Sequence, residues 1–171
     1  MSDSGDPEIL SRQEFVARFG HVFEASPWIT EAAFDAGLPV DARTATGLHR
    51  ALCTIMRAAP PDRQMALIKA HPDLAGRLAR AGTLTKESTK EQAGAGLDRL
   101  TDAEYEQFTA LNTAYRKKFA MPFVMAVKGR SKADILAAFA ARMDNDQDTE
   151  VATALAQIER IALLRLQGLL P

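Results

Sequence analysis

The chain has 171 residues, a length typical of one ordinary domain that can bury a core. Its 21 basic and 22 acidic residues give a net charge of -1, which excludes the strongly basic surface that holds nucleic acids. The start MSDSGDPEIL lacks the pattern of a secretory signal, and no apolar run reaches membrane-spanning length. With Cys53 as its one cysteine, the composition predicts a cytoplasmic protein with a small-molecule partner, not nucleic acid or membrane.

Helical periodicity of apolar residues follows a loose N-terminal tail at 1–10 and extends through nearly the whole chain. The predicted helices are, in chain order, Ser11 to about Phe23, Trp28 to Phe34, Asp41 to about Ala59, 60–71, 72–82, one beginning at Ser88, Thr101 to Phe119, Ser131 to Met143, and Thr149 to about Leu170. Three starts carry a Ser or Thr with a Glu three residues later, the capping-box pattern. These pairs are Ser11 with Glu14, Ser88 with Glu91, and Thr101 with Glu104.

One stretch departs from the helical pattern. In MPFVMAVKGR, residues 121–130, Pro122 and a compact apolar run favour an extended, buried segment. A single such run cannot form a sheet. The sequence therefore predicts an all-α fold, a single compact domain over residues 1–171 with about eight helices and one short extended apolar segment.

Two stretches that resemble known binding motifs do not complete them. In DNDQDTE, Asp144, Asp146 and Asp148 have the spacing of a calcium loop, but Thr149 replaces its glycine and Leu155 its final glutamate. AGAGL lacks the third glycine of a dinucleotide-binding turn. The three histidines are scattered, so the sequence predicts no metal site and no cofactor.

Polar residues remain at the start of the helix after His71. Ser88, Glu91 and Gln92 are spaced i, i+3 and i+4 and share one helix face, at an end whose amide groups suit an anion. The alternative is that Ser88 and Glu91 form only a capping box. His71 either caps the preceding helix or, fixed by Pro72, projects from a stiff junction as a catalytic acid or base requires.

Two further polar residues lie on apolar lines of helices. Arg165 in the last helix either extends to solvent or is held against an anion in a pocket. Asn112 lies between Phe108 and Tyr115, where a core amide that fixes neighbouring backbone is expected.

Five stretches taken in order resemble one enzyme family: FGHVFEASPWITEAA, AHPDLAG, LTKESTKEQAGAGLDRL, LNTAYRKKFAMPFVMAV and IERIALLRLQGLL. They are similar to the successive motifs of the 2-oxo-4-hydroxy-4-carboxy-5-ureidoimidazoline (OHCU) decarboxylases of uric acid breakdown. The resemblance spans nearly the whole chain and implies an all-α homodimer. It also implies a carboxy-lyase that converts this ureido-imidazoline to (S)-allantoin without metal or organic cofactor.

The resemblance also implies roles for individual residues. His71 matches the catalytic histidine, and Glu91 matches the glutamate that orients it. The residues implied to bind substrate are Pro72, Ser88, Gln92, Phe123, Val124, Met125, Ala126, Val127 and Arg165. Among these, Ser88 and Gln92 face the urea-like edges, Arg165 holds the carboxylate, and the backbone of 123–127 closes the pocket.

The chain departs from the family pattern just before the PFV element. Many relatives have a glycine and then an aromatic or branched residue where this chain has Ala120 and Met121, so the sequence does not determine the backbone path there. Two alternative functions also stay open: a non-catalytic helical interaction module on the same scaffold, and a related enzyme acting on another ureide. The enzyme interpretation predicts that His71, Ser88, Glu91, Gln92 and Arg165 converge on one cavity.

Overall fold

The computed structural model describes residues 10–171, except for the side chains of Arg77 and Leu78. The predicted tail over residues 1–10 lies outside this range apart from its last residue. The helices are α1 (Arg12–Phe19), α2 (Trp28–Asp35), α3 (Ala45–Ala58), α4 (Pro61–Ala70), α5 (Arg77–Arg80), α6 (Lys86–Gly94), α7 (Asp102–Phe119), α8 (Lys132–Met143) and α9 (Gln147–Gln167), with a 3-10 turn at Val40–Arg43. No strand occurs in this described range, which confirms the all-α prediction.

Most of the predicted helix starts are confirmed because the caps are local. The hydroxyl of Ser11 accepts from the Glu14 amide while the Glu14 carboxylate accepts from the Ser11 amide, and Thr101 with Glu104 repeats the arrangement. The prediction that the third helix begins at Asp41 is wrong. Asp41 belongs to the 3-10 turn, and Thr44 caps α3 by accepting from the Gly47 amide.

Two predicted helices are shorter than expected. The first ends at Phe19, after which Val22 and Phe23 are buried outside the helix. The other shortened helix, predicted over 72–82, is reduced to the single turn α5, because residues 71–76 form a loop. Gly82 follows α5 at φ +71°, the left-handed conformation that suits a glycine after a helix.

The chain divides into two compact units, and the prediction of one domain over residues 1–171 stays a prediction. The first unit contains residues up to 70 and residues 158–171. Within it α1 packs on α2 and α2 on α3, with the Phe15 ring centroid 5.1 Å from that of Phe19 and 5.3 Å from that of Phe34. The Ala45 amide donates to the Pro171 carbonyl at 2.8 Å, so the end of the chain is tied to the start of α3.

The second unit contains residues 71–157 and has an aromatic core. Phe123 stacks on Phe139 with 3.7 Å between ring centroids, and Tyr115 meets Phe123 edge-on at 5.3 Å. Phe108 and Phe119 of α7 are also buried, as the periodicity predicted. This core fixes the segment that follows α7.

No helix in residues 10–171 is long and apolar enough to cross a membrane.

Candidate active site

The loop 71–76 directly follows α4 in the chain and begins with the predicted catalytic residue. His71 is 6% exposed, and Leu74 and Ala75 are also buried. Ala75 has φ +53°, a left-handed conformation that costs an alanine about 1 kcal/mol. The loop is therefore held in a strained path by contacts from outside it.

Helix α6 begins one turn earlier than predicted. Thr85 is its N-cap and accepts from the Ser88 amide, so the predicted capping box of Ser88 with Glu91 is wrong. Ser88 lies in the first turn and is buried, while Glu91 and Gln92 lie in the second turn. The i, i+3, i+4 spacing still gives these three residues a common face.

Gln92 connects α6 to the loop after His71. Its side-chain oxygen accepts from the Ala75 amide at 2.9 Å, and its amide nitrogen donates to the Asp73 carbonyl at 3.3 Å. Gln92 is 4% exposed. Gln92 therefore fixes the loop, and the substrate contact predicted for it would use the remaining amide hydrogen.

Helix α7 holds the same loop from another direction. The side-chain amide of Asn112 donates to the Leu74 carbonyl at 2.9 Å, which confirms the predicted role of Asn112 as a core amide that fixes backbone. Arg116, one turn later, pairs with the Asp73 carboxylate at 2.9 Å, and this ion pair is partly exposed. His71 is thus followed by three residues whose backbone or side chains are bonded to α6 or α7.

The predicted wall at 123–127 is the irregular segment after α7. Phe123, Val124 and Val127 are buried, and Met125 and Ala126 are half-buried. Gln157 of α9 accepts from the Ala126 amide at 3.0 Å. The segment therefore has a defined path, with its first aromatic ring in the core of the second unit.

Sequence reasoning missed the residues that hold the segment 123–127 in place. Arg142 donates to the Val124 carbonyl at 2.6 Å and to the Glu150 carboxylate at 2.5 Å, and its guanidinium lies 4.2 Å from the Phe123 ring centroid. Glu150 is fully buried and also accepts from the Tyr115 hydroxyl at 2.5 Å. Burial, and then the bond to Glu150, raise the pKa of Tyr115 well above its usual range.

One sequence signal could have found this network. Glu150 precedes Ala154 and Ile158 at steps of four on α9, so it lies on the line of buried positions. The composition of DNDQDTE, residues 144–150, indicates a solvated linker rich in helix caps, and this interpretation is wrong for the buried Glu150. That interpretation suits Asp146, which caps the next helix by accepting from the Thr149 amide at 2.7 Å.

The departure from the family pattern at Ala120 is resolved by its backbone. Ala120 is the C-cap of α7 with φ +55° and ψ +30°, the conformation that helices commonly end in with glycine. The chain therefore takes the path that a glycine would take, at a cost in backbone strain. Met121 is fully buried directly after it.

Arg165 belongs to the first unit, and the other predicted site residues belong to the second. Its side chain is 6% exposed, so it does not extend to solvent. The guanidinium donates to the Glu24 carboxylate at 2.9 Å and to the His21 carbonyl at 3.3 Å. The alternative in which Arg165 extends to solvent is therefore wrong, and the guanidinium pairs with Glu24, whereas its binding of an anion in a pocket stays a prediction. Convergence of Arg165 with the other predicted residues stays a prediction.

The first unit also has a groove of about 540 Å³ that none of the predicted site residues lines. Cys53 lies in it with its sulfur 3.2 Å from His49 Nε2. Burial, and then the charge of Glu159, raise the pKa of the Cys53 thiol to about 12, so it is a weak nucleophile near neutral pH. Within residues 10–171, no three side chains of His, Cys, Asp or Glu are grouped to share a metal ion.

Comparison with known proteins identifies the class of this molecule. A family model described as OHCU decarboxylase matches residues 8–167. The chain is 40% identical over 158 residues to the OHCU decarboxylase of Halalkalicoccus jeotgali, covering 92% of this chain and 86% of that protein. It is also 38% identical over 161 residues to a uric acid degradation bifunctional protein of Bacillus subtilis, covering 94% of this chain but only 31% of that longer protein.

Solved structures agree with these matches. A crystal structure of (S)-allantoin synthase is similar with a TM-score of 0.74 and 30% identity, covering 94% of this chain and about half, 51%, of that one. A structure of OHCU decarboxylase in the presence of (S)-allantoin has a TM-score of 0.67 at 20% identity, over 86% of this chain and 94% of that one, and shows the shared fold.

The molecule is therefore a decarboxylating enzyme, which decides against the non-catalytic interaction module. The chain belongs to the OHCU decarboxylase family of urate degradation.

Proposed function

We propose that this enzyme removes the carboxylate of OHCU and forms (S)-allantoin, with His71 carrying the protons. The observation that supports this most directly is the mounting of His71. It is buried, it is followed by a proline, and the next three residues are fixed by side chains of α6 and α7. A catalytic imidazole requires such a restrained position.

The chemistry of the substrate suits side-chain catalysis. The carboxylate leaves a carbon that also bears a hydroxyl and adjoins a C=N group, so the electrons of the breaking bond flow into that group. His71 takes the hydroxyl proton or returns a proton to the ring carbon. Imidazole exchanges protons near neutral pH, which suits both steps. Protonation from one side of the planar intermediate sets the S configuration.

Glu91 orients the imidazole and stabilises its charged form during turnover. This proposal is supported by the neighbouring residue Gln92, because its side chain reaches the Asp73 carbonyl and the Ala75 amide of the loop. Helix α6 therefore lies against the loop that His71 begins. Ser88, on the same face of α6, and the second amide hydrogen of Gln92 bind the urea-like edges of the substrate.

The segment 123–127 provides the wall for the flat ring. Its main-chain groups meet the ring, and Phe123 excludes water. The rigidity that a wall needs is supported by two bonds: Arg142 donates to the Val124 carbonyl, and the Ala126 amide donates to the side-chain oxygen of Gln157. Pro72 closes the same pocket.

Arg165 binds the substrate carboxylate before it leaves. Its guanidinium is buried and held in place by Glu24, which supports a fixed position for an anion. The homodimer and the cytoplasmic location implied above stay predictions, and light scattering of the purified protein would test the first.

The decisive experiment generates OHCU in situ from urate and follows (S)-allantoin by circular dichroism, with and without the protein. Spontaneous decay gives the racemate, so optical activity that forms faster with protein supports the proposal. His71→Asn and His71→Gln should abolish the acceleration, since an amide cannot transfer the proton.

A matched control is His49→Gln on α3, whose amide can keep the bond from position 49 to the Glu159 carbonyl. Its activity should equal that of the wild type. A His71→Asn variant that is as active as wild type would remove His71 from the mechanism. No acceleration by the wild type would favour a related enzyme acting on another ureide.

A further inference from the structure

The Leu74 carbonyl is a buried acceptor three residues after His71, and it is bonded by a side chain 38 residues later in the chain. Asn112 Nδ2 donates to it at 2.9 Å. Both residues are buried, with Leu74 7% and Asn112 5% exposed. The bond is therefore shielded from water, where losing a donor is costly.

The loop requires such an external bond because its own backbone is strained. Ala75 has φ +53°, and Pro72 has no amide hydrogen to donate. The Arg116 pair with Asp73 is partly exposed, and exposed ion pairs contribute little. Asn112 and Gln92 thus provide the shielded bonds, and Gln92 has also been assigned a substrate contact above.

The Asn112 amide has a feature that a purely structural residue would avoid. Its Oδ1 is buried and accepts no hydrogen bond from the part of the chain that the structure describes. An unsatisfied buried acceptor costs about 1–3 kcal/mol, a cost that a leucine of similar volume would not have. An asparagine at this position is favoured only if donation to the Leu74 carbonyl is worth more than that cost.

We infer that Asn112 is a positioning residue for the decarboxylation: its bond to the Leu74 carbonyl holds the loop that sets the orientation of His71. This inference rests on the proposed function of His71. Asn112 does not have to touch the substrate, so its loss should lower kcat and leave KM nearly unchanged. Misplacement of a catalytic group by about 1 Å can reduce the rate about 100-fold.

The sharpest test is Asn112→Asp compared with Asn112→Leu. The introduced carboxyl has the same shape as the amide, but when ionised it repels the Leu74 carbonyl, and when protonated it donates to it. Burial raises the pKa of a carboxyl at such a site, so the protonated form is populated within a few pH units of neutrality. We expect kcat of Asn112→Asp, relative to wild type at each pH, to rise as the pH is lowered.

Asn112→Leu has no proton to regain, so its kcat should stay about 100-fold below wild type at every pH. Gln107→Glu is the matched control, because it makes the same change of amide to acid at an exposed position of the same helix. Its kcat and KM should equal those of the wild type. A flat relative profile for Asn112→Asp, or a folded Asn112→Leu variant with wild-type kcat, would overturn the inference.

Hydrogen exchange gives a second measurement that does not depend on turnover. The amides of residues 73–76 should exchange at least tenfold faster in Asn112→Leu than in wild type, and at the wild-type rate in Gln107→Glu. Unchanged exchange in Asn112→Leu would refute the positioning of the loop. If the wild type fails to accelerate (S)-allantoin formation, the proposed function falls, and hydrogen exchange still decides whether Asn112 holds the loop.

Discussion

Removal of Arg142 should destabilise the enzyme more than an ordinary surface substitution. In Arg142→Met the fully buried Glu150 carboxylate loses its charged partner, and the Val124 carbonyl loses its donor. Breaking a buried ion pair from one side costs about 3–5 kcal/mol, because the remaining charge is left without water or a counter-charge. Urea denaturation followed by far-UV circular dichroism measures this loss.

The same reasoning predicts a partial rescue. In the double variant Arg142→Met with Glu150→Gln, the neutral amide still accepts from Tyr115 and no buried charge remains, so about 2 kcal/mol should return. Arg130→Met, at an exposed arginine, is the control and should change stability by less than about 0.5 kcal/mol. The reasoning is refuted if Arg142→Met costs under about 1 kcal/mol, or if the double variant is no more stable than the single one.

Three further predictions follow from strain, burial and charge. Ala120→Gly should raise the free energy of unfolding by up to about 1 kcal/mol, and Gly129→Ala, at φ +75°, should lower it. Urea denaturation measures both changes, and a lower free energy of unfolding for Ala120→Gly would contradict the backbone strain argued for Ala120. Cys53 should react slowly with a disulfide reagent near neutral pH and faster as the pH rises towards 12, because its raised pKa keeps the thiol protonated. If the folded protein is labelled at pH 7 as rapidly as the denatured protein, this prediction is refuted. Arg165→Leu should raise KM about tenfold or more, because the substrate carboxylate loses its partner. Glu24→Gln should lower stability, because the buried Arg165 loses its counter-charge, and should raise KM by less than Arg165→Leu does; equal KM values for Arg165→Leu and wild type would exclude the carboxylate role.

The helices could be predicted from the sequence wherever the signals are local. The Ser11 and Thr101 caps depend only on residues three positions away, and both are confirmed. The start of α6 was misplaced because TKESTKE offers two hydroxyl residues three apart. In the structure Thr85 is the N-cap, and its hydroxyl accepts from the Ser88 amide. A local pattern cannot rank two equivalent local solutions.

The sequence predicted residues of the candidate site better than the buried residues that hold them in place. Periodicity and motif order indicated His71 and Gln92, and the structure gives both of them buried positions. The network of Tyr115, Arg142 and Glu150 joins three helices, and no spacing rule relates residues that far apart in the chain. Helical periodicity indicates the buried face of each helix but not which residue it meets there.

The order in which the chain is made has a consequence for the loop after His71. The groups that hold its backbone, Gln92 and Asn112, are translated about 20 and 40 residues after His71 itself. A growing chain that has emerged only as far as His71 therefore lacks those contacts until the later residues have emerged as well. Any product of premature termination upstream of α7 would carry the imidazole without the Asn112 bond, and we expect such fragments to be inert.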